Sequence, residues 1–233
     1  MFWSHHFAMV SKLAYLDNEK KKWKELGYTY SKFFDVDGAQ AYVLWSKDYI
    51  TITFRGTEPD DWNDISADLK VFKYDGMHEG FHEEYMKLHD LIRDKVDDLI
   101  QRKERPLYIC GHSLGGAMAT ICATRYPEAK ELYTYGSPRV FNKERASRLH
   151  VPHKRHVNNN DAVPRVPLWI MGFRHHGTEH YLNIKGNVCK MSLWQRVKDK
   201  WLGRWEAFLK GKPFDSLYDH SIDEYAKYLE DGK

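Results

Sequence analysis

The stretch of sequence that decides the fold is Tyr108–Ala117, which reads YICGHSLGGA. A short apolar strand stops at a G-x-S-x-G core, and a helix of small residues continues from there to about residue 123. Such a strand–turn–helix holds its central serine on a strained, exposed turn above the edge of a sheet. A Cβ at Gly111 or Gly115 would collide with the neighbouring strand or helix. The pattern predicts a reactive serine at position 113.

The helix that follows Ser113 adds a second feature of the same site. Its positive end points at the serine, and the amide of Leu114 is placed to stabilise an oxyanion. A bare G-x-S-x-G occurs by chance in many proteins, and most such serines do nothing. Here the flanking strand and helix supply the context that the chemistry needs, so we interpret Ser113 as a nucleophile.

Strand-like and helix-like segments alternate on both sides of this elbow. A hairpin of two strands, 41–45 and 49–54, precedes a long amphipathic helix over residues 80–102. Beyond the elbow, strands at 132–135 and 154–157 are separated by a short helix. This alternation predicts an α/β fold with a mostly parallel central sheet and helices on both faces. Residues 4–26, at the N-terminal end, are expected to form a helical segment.

Length and composition limit the classes of protein to consider. The 233 residues fit a single α/β domain over residues 1–233, and no linker or repeat divides them. The net charge of +3 is too weak to indicate nucleic acid as a partner. Three cysteines leave an odd thiol and no complete disulfide framework. With no recognisable signal peptide and no apolar run that could span a bilayer, we expect a cytoplasmic protein or one exported without a leader.

A nucleophilic serine needs an orienting acid and a general base. Asp161 comes directly after the strand at 154–157, and catalytic groups collect at the carboxyl ends of parallel strands. The loop that follows, 162–167, contains two prolines and is stiff enough to hold a carboxylate in place. The alternative for Asp161 is that it only caps a turn.

The base is harder to choose, because the chain has 13 histidines. His112 sits beside the serine inside the elbow and cannot approach its hydroxyl properly. His175, His176 and His180 follow the acid, but in a hairpin-like region. His220 lies in a late loop just before a C-terminal helix, which gives it the position and mobility of a base. Position alone gives His220 only a modest lead over a structural histidine.

Five ordered motifs together resemble the class 3, or fungal-lipase-like, family of α/β-hydrolases, from about Tyr42 to Leu229. Five motifs in order are far more specific than any one of them. They are FRGT at 54–57, GHSLGG at 111–116, YGSPR at 135–139, NDAVPRVP at 160–167 and DHS at 219–221, with a D-W…D-L segment at 62–69 and HEGF at 78–81.

The resemblance implies an α/β-hydrolase fold and a role for each matching residue. Ser113 would be the nucleophile, Asp161 the orienting acid and His220 the general base. Thr57 matches the oxyanion-hole position, where it would act together with the amide of Leu114. No metal or cofactor is implied. The region from Met191 to Pro213 has no counterpart that we can place in the family.

The function that follows is cleavage of carboxylic esters through an acyl-serine intermediate. Triacylglycerol or simple acyl esters are the leading substrates, as expected of a triacylglycerol lipase or esterase. Phospholipase A1 or lysophospholipase activity is the close alternative, and a feruloyl-type esterase is more distant. A catalytically dead membrane-binding module is an alternative of another class, against which the intact triad positions speak.

A lid is predicted around residues 59–75, in the segment that the resemblance places over the acyl pocket. Trp62, Ile65 and Leu69 are spaced as one apolar face of a helix and would cover or line the substrate site. The alternative is an ordinary surface helix whose apolar face packs on the core.

The segment Trp194–Leu209 is the unusual part of the chain. Trp194, Trp201 and Trp205 fall near helical spacing, and lysines and arginines surround them. Such a face suits peripheral contact with a lipid surface. The alternative, which we favour slightly from the sequence, is that the tryptophans complete the core. Gly203 is expected to weaken this helix.

Overall fold

The central sheet of the computed structural model is built from the strands that the alternating pattern predicts. The structure describes residues 2–16, 20–56, 73–209 and 219–230, with the main chain alone at 193 and 204–209. The described strands are β1 Tyr30–Val36, β2 Ala39–Trp45, β3 Ile50–Phe54, β4 Lys73–Tyr74, β5 Met77–His78, β6 Leu107–His112, β7 Glu131–Tyr135, β8 Phe141–Asn142, β9 His153–Asn158, β10 Phe173–Arg174, β11 Thr178–Leu182 and β12 Val188–Cys189. Eight of them form the central sheet in the order β1-β2-β3-β6-β7-β9-β11-β12, and β10-β8-β5-β4 form a smaller one.

Helices cover this sheet on both sides. The long amphipathic helix predicted at 80–102 is present and begins at Glu79, where the His78 side chain caps it by accepting from the amide of Phe81. No described helix is long and apolar enough to cross a membrane. The helices are α1 Phe2–Leu13, α2 Lys20–Glu25, α3 Glu79–Arg102, α4 Leu114–Cys122, α5 Lys143–Arg148, α6 Leu193–Leu209 and α7 Ile222–Glu230.

Strand β6 shows why both faces of the sheet are covered. Its residues are all buried, and successive side chains point to opposite faces. Leu107 and Ile109 pack in one apolar cluster with residues of α3 and α4. Tyr108 and Cys110 pack in a second cluster with residues of α1 and α7. The predicted fold class, a mostly parallel sheet between two layers of helices, is therefore confirmed.

The parallel part of the sheet brings the functional motifs to one edge. Strands β3, β6, β7, β9 and β11 run parallel to their neighbours, in that order. In register, Phe54 lies opposite Gly111, and His112 lies opposite Tyr135. Because these strands end together, the residues that follow them meet at the same edge, as the rule for open α/β sheets requires.

Three details differ from the sequence predictions. The N-terminal helical segment consists of two separate helices, α1 and α2. The region of His175–His180 is only partly a hairpin, because β11 pairs parallel with β9 and antiparallel with β12. The core hypothesis for α6 is wrong for two of its tryptophans, since Trp194 is 84% exposed and Trp201 is 61% exposed. The Trp205 side chain lies outside the described residues.

Candidate active site

Ser113 sits on a strained turn between β6 and α4. Its backbone has φ 58° and ψ −129°, a left-handed φ that costs a residue with a side chain about 1–3 kcal/mol. The two glycines of the elbow are needed for close packing. A Cβ on Gly111 would stand 2.3 Å from the Gly115 carbonyl oxygen, and one on Gly115 would stand 2.3 Å from the Phe54 carbonyl oxygen. The turn therefore forms only because glycine at these two positions lets the strands and the helix approach closely.

The structure brings Ser113, Asp161 and His220 together in one hydrogen-bonded chain. His220 Nε2 lies 2.8 Å from Ser113 Oγ. His220 Nδ1 lies 2.9 Å from Asp161 Oδ2 and 3.1 Å from Oδ1. A carboxylate only accepts, so Nδ1 carries the proton that it donates to Asp161, and Nε2 accepts from the serine hydroxyl. This is the tautomer that a general base needs.

All three side chains are buried. Ser113 and Asp161 are 0% exposed and His220 is 1% exposed, so the expectation of an exposed serine is wrong for this structure. Gly56 packs directly on Ser113, because a Cβ on Gly56 would be 3.1 Å from the Ser113 Cβ. A substrate reaches the serine hydroxyl only after some neighbouring group has moved.

Asp161 is held by two donors besides the histidine. The Tyr225 hydroxyl donates to Oδ2 at 2.6 Å, and the Val163 amide donates to Oδ1 at 2.9 Å. Burial and the adjacent Asp161 carboxylate raise the pKa of Tyr225 well above its usual value, so its proton stays in place. The same hydroxyl accepts from the Asn158 amide at 2.9 Å, which ties the end of β9 to α7. These hydrogen bonds therefore fix the orientation of the carboxylate and offset the cost of burying it.

His220 is held through its backbone by His112. The His112 Nε2 lies 2.6 Å from the His220 carbonyl oxygen, and its Nδ1 lies 2.8 Å from the Tyr15 hydroxyl. Burial and the neighbouring His220 lower the pKa of His112 well below its usual value, so the ring is neutral. A carbonyl only accepts, so Nε2 donates to it and Nδ1 accepts from Tyr15. His112 is thus a positioning residue, and the prediction that it does not reach the serine hydroxyl holds.

The YGSPR motif at 135–139 begins at the end of strand β7 and also helps to position Asp161. Gly136 has φ +58°, and a Cβ there would stand 2.8 Å from both Asp161 Oδ2 and His220 Nδ1. Arg139 donates to the Pro167 carbonyl at 2.9 Å and also to the Arg165 carbonyl. This guanidinium clamps the loop that follows Asp161, so two motifs distant in the sequence form one structural unit.

The oxyanion hole and the lid are described only in part. Leu114 is the first residue of α4, where backbone amides have no partner inside the helix. Its amide therefore belongs to the positive end of a helix that begins beside Ser113. Of the lid predicted around 59–75, only 73–75 is described, and Lys73–Tyr74 forms β4. The remaining predicted residues, Thr57, Trp62, Ile65 and Leu69, lie outside the described residues.

Reasoning from the sequence missed three residues that hold the triad. Tyr225 lies within the C-terminal helix, and a buried tyrosine needs a partner for its hydroxyl. That requirement is the signal that could have singled it out. Tyr15 follows the end of α1, far away in the sequence, and Gly136 occupies a turn. No local pattern shows that either one reaches the site.

Comparison with known proteins shows the family of the chain. The model of a protein family described as Lipase (class 3) matches residues 51–171, more than half of the chain. The chain belongs to the class 3 lipase family. Toxin TseL of Vibrio cholerae serotype O1 is 40% identical over 101 residues, 40% of this chain and 15% of the toxin. A lipase of Rhizopus niveus is 30% identical over 182 residues, 70% of this chain and 46% of that lipase.

A solved structure of the same type supports the family and the fold. It is a triacylglycerol lipase whose catalytic centre is formed by a serine protease triad, and its TM-score is 0.68 at 25% identity. The match covers 79% of this chain and 80% of that one. By contrast, the matches to the two curated relatives span less than half of their lengths.

Proposed function

We propose that this class 3 lipase hydrolyses carboxylic esters of lipids, with acylglycerols as the leading substrates. The observation that carries the proposal is the hydrogen-bonded chain from Ser113 Oγ through the His220 ring to Asp161. These three groups are the nucleophile, base and orienting acid of acyl transfer to serine. The triacylglycerol lipase and the Rhizopus niveus lipase that the chain resembles support the substrate class.

In the first half of the reaction, Ser113 Oγ attacks the carbonyl carbon of the ester. Its proton passes to His220 Nε2 across the 2.8 Å hydrogen bond. Asp161 stays ionised and stabilises the imidazolium that forms. The carbonyl oxygen becomes an oxyanion and accepts from the amide of Leu114 and from Thr57. Losing one such donor typically costs roughly 10²–10³ in rate.

The tetrahedral intermediate collapses when His220 Nε2 returns its proton to the departing alcohol. The carbon–oxygen ester bond breaks, and the acyl group stays on Ser113. A water molecule then attacks this acyl-serine and gives a proton to His220. His220 passes that proton to Ser113 Oγ as the acyl–oxygen bond breaks and the fatty acid leaves. The same imidazole serves as base and then as acid in each half of the reaction. The hydrogen bond to Asp161 holds it in the tautomer that these roles need.

Access to the buried serine calls for a covering element that opens. The prediction is that the lid around 59–75, with Trp62, Ile65 and Leu69, closes the site in water and opens at a lipid surface. Activity should then rise sharply once the substrate exceeds its solubility limit. Strictly hyperbolic kinetics across that limit would indicate a permanently accessible esterase site.

The test is a panel of esters assayed with the wild-type chain and with Ser113→Ala. The panel holds p-nitrophenyl esters of increasing chain length, a triglyceride emulsion and phospholipid vesicles. We expect turnover that Ser113→Ala reduces by several orders of magnitude, because triad loss removes the nucleophile. The variant should still fold, since one hydroxyl contributes little to packing.

The outcomes separate the alternatives. Preference for the triglyceride emulsion supports acylglycerol lipase activity, and release of one acyl chain from phospholipid alone would favour phospholipase A1. Turnover of feruloyl esters only would move the substrate to the feruloyl class. If Ser113→Ala keeps a tenth of the wild-type kcat, the serine is not the nucleophile. No turnover of any ester by folded wild-type chain would favour the membrane-binding module without catalysis.

A further inference from the structure

Helix α6 lies on the protein with its polar side inward. The Asp199 carboxylate is buried and accepts from the Tyr181 hydroxyl at 3.1 Å and the Ile184 amide at 3.2 Å. Arg196 pairs with Glu179, which also pairs with Arg155 at 3.1 Å. A surface helix normally buries its apolar stripe and shows its polar side to water. In α6 the ionic contacts fix the opposite orientation.

The outward face of α6, defined as Trp194, Val197, Lys198 and Trp201, is consequently aromatic and exposed. Trp194, Val197 and Trp201 are spaced three and four residues apart, which puts them on one side of the helix. They are 84%, 59% and 61% exposed. Exposed apolar patches of this kind mark places that another surface covers.

The charge around this face shows what kind of surface fits. Within the described side chains of residues 190–203, four are lysine or arginine and one is acidic, so this segment carries +3. That equals the net charge of the whole chain, +3, so the positive charge is concentrated here. Lys190 and Lys198 are exposed beside the tryptophans. Tryptophans rimmed by cations suit the interface of a membrane with anionic lipids.

We propose that the outward face of α6 docks onto the surface of an anionic phospholipid bilayer. The tryptophan rings enter the interface between headgroups and acyl chains, and the neighbouring lysines pair with phosphate groups. A second copy of the chain is a poorer occupant, because two faces of the same positive charge would meet. The proposal deepens the proposed function, on which it rests for the ester substrate that the bilayer presents.

The contact between α6 and the catalytic loop explains why docking matters for the site. Gly203 is buried on the inward side, and a Cβ there would stand 2.5 Å from Asn160 Nδ2 and 2.9 Å from Asn159 Nδ2. These two asparagines immediately precede Asp161. The loop continues into Leu168–Met171, where four apolar side chains are also exposed. A bilayer that binds α6 therefore contacts the same helix that packs on the loop of the catalytic acid.

The experiment measures binding of the full chain to phosphatidylcholine vesicles with and without phosphatidylglycerol, by co-sedimentation. The chain carries Ser113→Ala, so that no lipid is consumed during the measurement. We expect binding to the anionic vesicles to be about tenfold or more tighter, and to weaken with salt. Trp194→Glu and Trp201→Glu should each weaken it by about tenfold, the loss expected for one aromatic side chain kept out of the interface.

The control is Tyr30→Glu, which replaces an aromatic residue of equal exposure, 61%, on strand β1 at the opposite edge of the sheet. It should leave vesicle binding unchanged. Lys198→Gln should weaken binding to the anionic vesicles by about fivefold and leave binding to neutral vesicles unaltered. The melting temperature of every variant is measured as well, because Tyr30 also stacks on Trp45 and a loss of binding must be separated from a loss of folding.

Two readouts keep this proposal separate from the proposed function. In chains that retain Ser113, Trp194→Glu and Trp201→Glu should leave hydrolysis of a short soluble ester intact. Vesicle binding by a chain that hydrolyses no ester would refute the function and support the docking surface. Equal binding of both vesicle types, binding insensitive to both tryptophan changes, or a dimer that Trp194→Glu dissociates without vesicle binding would overturn the docking surface.

Discussion

The elbow and helix α6 both depend on a glycine that lets main chain approach a neighbour, yet the two segments face opposite ways. Around Ser113, β6 and α4 bury almost every side chain, and only the strained serine is presented to the site. In α6, the buried side holds Asp199 and Gly203, and Trp194 and Trp201 face water.

The difference shows that spacing identifies a face but not its direction. In the elbow, the apolar residues have only the core to pack against, so spacing and direction agree. In α6, the direction follows from partners elsewhere in the chain, chiefly Tyr181 and Glu179. The Asp199 carboxylate is buried, and a buried charge that loses its partners is strongly destabilising, so these contacts can outweigh an apolar stripe.

Of the changes that test the elbow against α6, the largest effect is expected from Gly136→Ala, beside the catalytic triad. The added Cβ would lie 2.8 Å from Asp161 Oδ2 and His220 Nδ1, so both groups must shift. A misplacement of about 1 Å in a catalytic group can cost roughly 10²-fold in rate, and we expect a loss in kcat of that order. Steady-state kinetics on a soluble ester measures it.

The matched control for this change is Gly38→Ala. Gly38 has φ +82° and nothing within 4 Å of an added Cβ, so the variant carries the backbone strain without the clash. It should lose some stability and keep its kcat. Equal loss of kcat in both variants would mean that the effect of Gly136→Ala is strain alone.

A smaller effect is expected from Tyr225→Phe, which removes the hydroxyl between Asp161 and Asn158. One buried acceptor and one buried amide lose a partner, which typically costs about 1–3 kcal/mol. The melting temperature should fall by roughly 2–4 °C for each kcal/mol. Tyr126→Phe is the control, since that buried hydroxyl has no hydrogen-bond partner among the described residues. Similar losses in the two variants would refute a role for Tyr225 in holding the acid.

The elbow was predictable because its signals are local. The strand, the turn glycines and the small-residue helix lie within sixteen residues, 107–122, and each is required by the same close approach. The parallel sheet followed from the alternation of elements for a similar reason. Residue choices for Asp161 and His220 needed the family resemblance, because a carboxylate after a strand and a histidine in a loop have many other uses.

The parts that the sequence could not show depend on distant contacts. His112 Nε2 holds the backbone of a residue 108 positions later, and Tyr15 reaches the elbow from 97 positions before it. The orientation of α6 is of the same kind, because the partners of Asp199 lie on β11 and just beyond it. Spacing within one helix carries no information on such partners, so the core hypothesis gave the wrong direction for Trp194 and Trp201.

Acid should destabilise the fold through two buried histidines, His112 in the elbow and His156 on β9. Burial lowers the pKa of His112 well below its usual value, and burial together with His180 lowers that of His156 to about 3. In the unfolded chain these histidines bind a proton near pH 6.5, roughly the value for a free side chain. Their contribution to stability is therefore present above that pH and is lost as the pH falls below it.

Each such histidine should cost about 1.4 kcal/mol of unfolding free energy per pH unit below about 6.5. Urea unfolding at several pH values between about 7 and about 5 measures the slope. His156→Phe should flatten it by one proton, because that ring is stacked between Tyr135 and His180 and a phenyl group can take its place. An unchanged slope would mean that His156 does not stay neutral in the folded chain.

The smallest expected effect, from Gly203→Ala, tests whether α6 is tied to the catalytic loop. In the interior of a free helix this change stabilises by about 1 kcal/mol, so an uncoupled α6 predicts a higher melting temperature and an unaltered kcat. Here the Cβ would meet the side-chain amides of Asn159 and Asn160, the residues that lead into Asp161. We therefore expect no gain in melting temperature and a fall in kcat of a few fold, measured on a short soluble ester so that lipid binding plays no part. A stabilised variant with full activity would show that the two regions are only neighbours, and the elbow would then be independent of the helix that faces the other way.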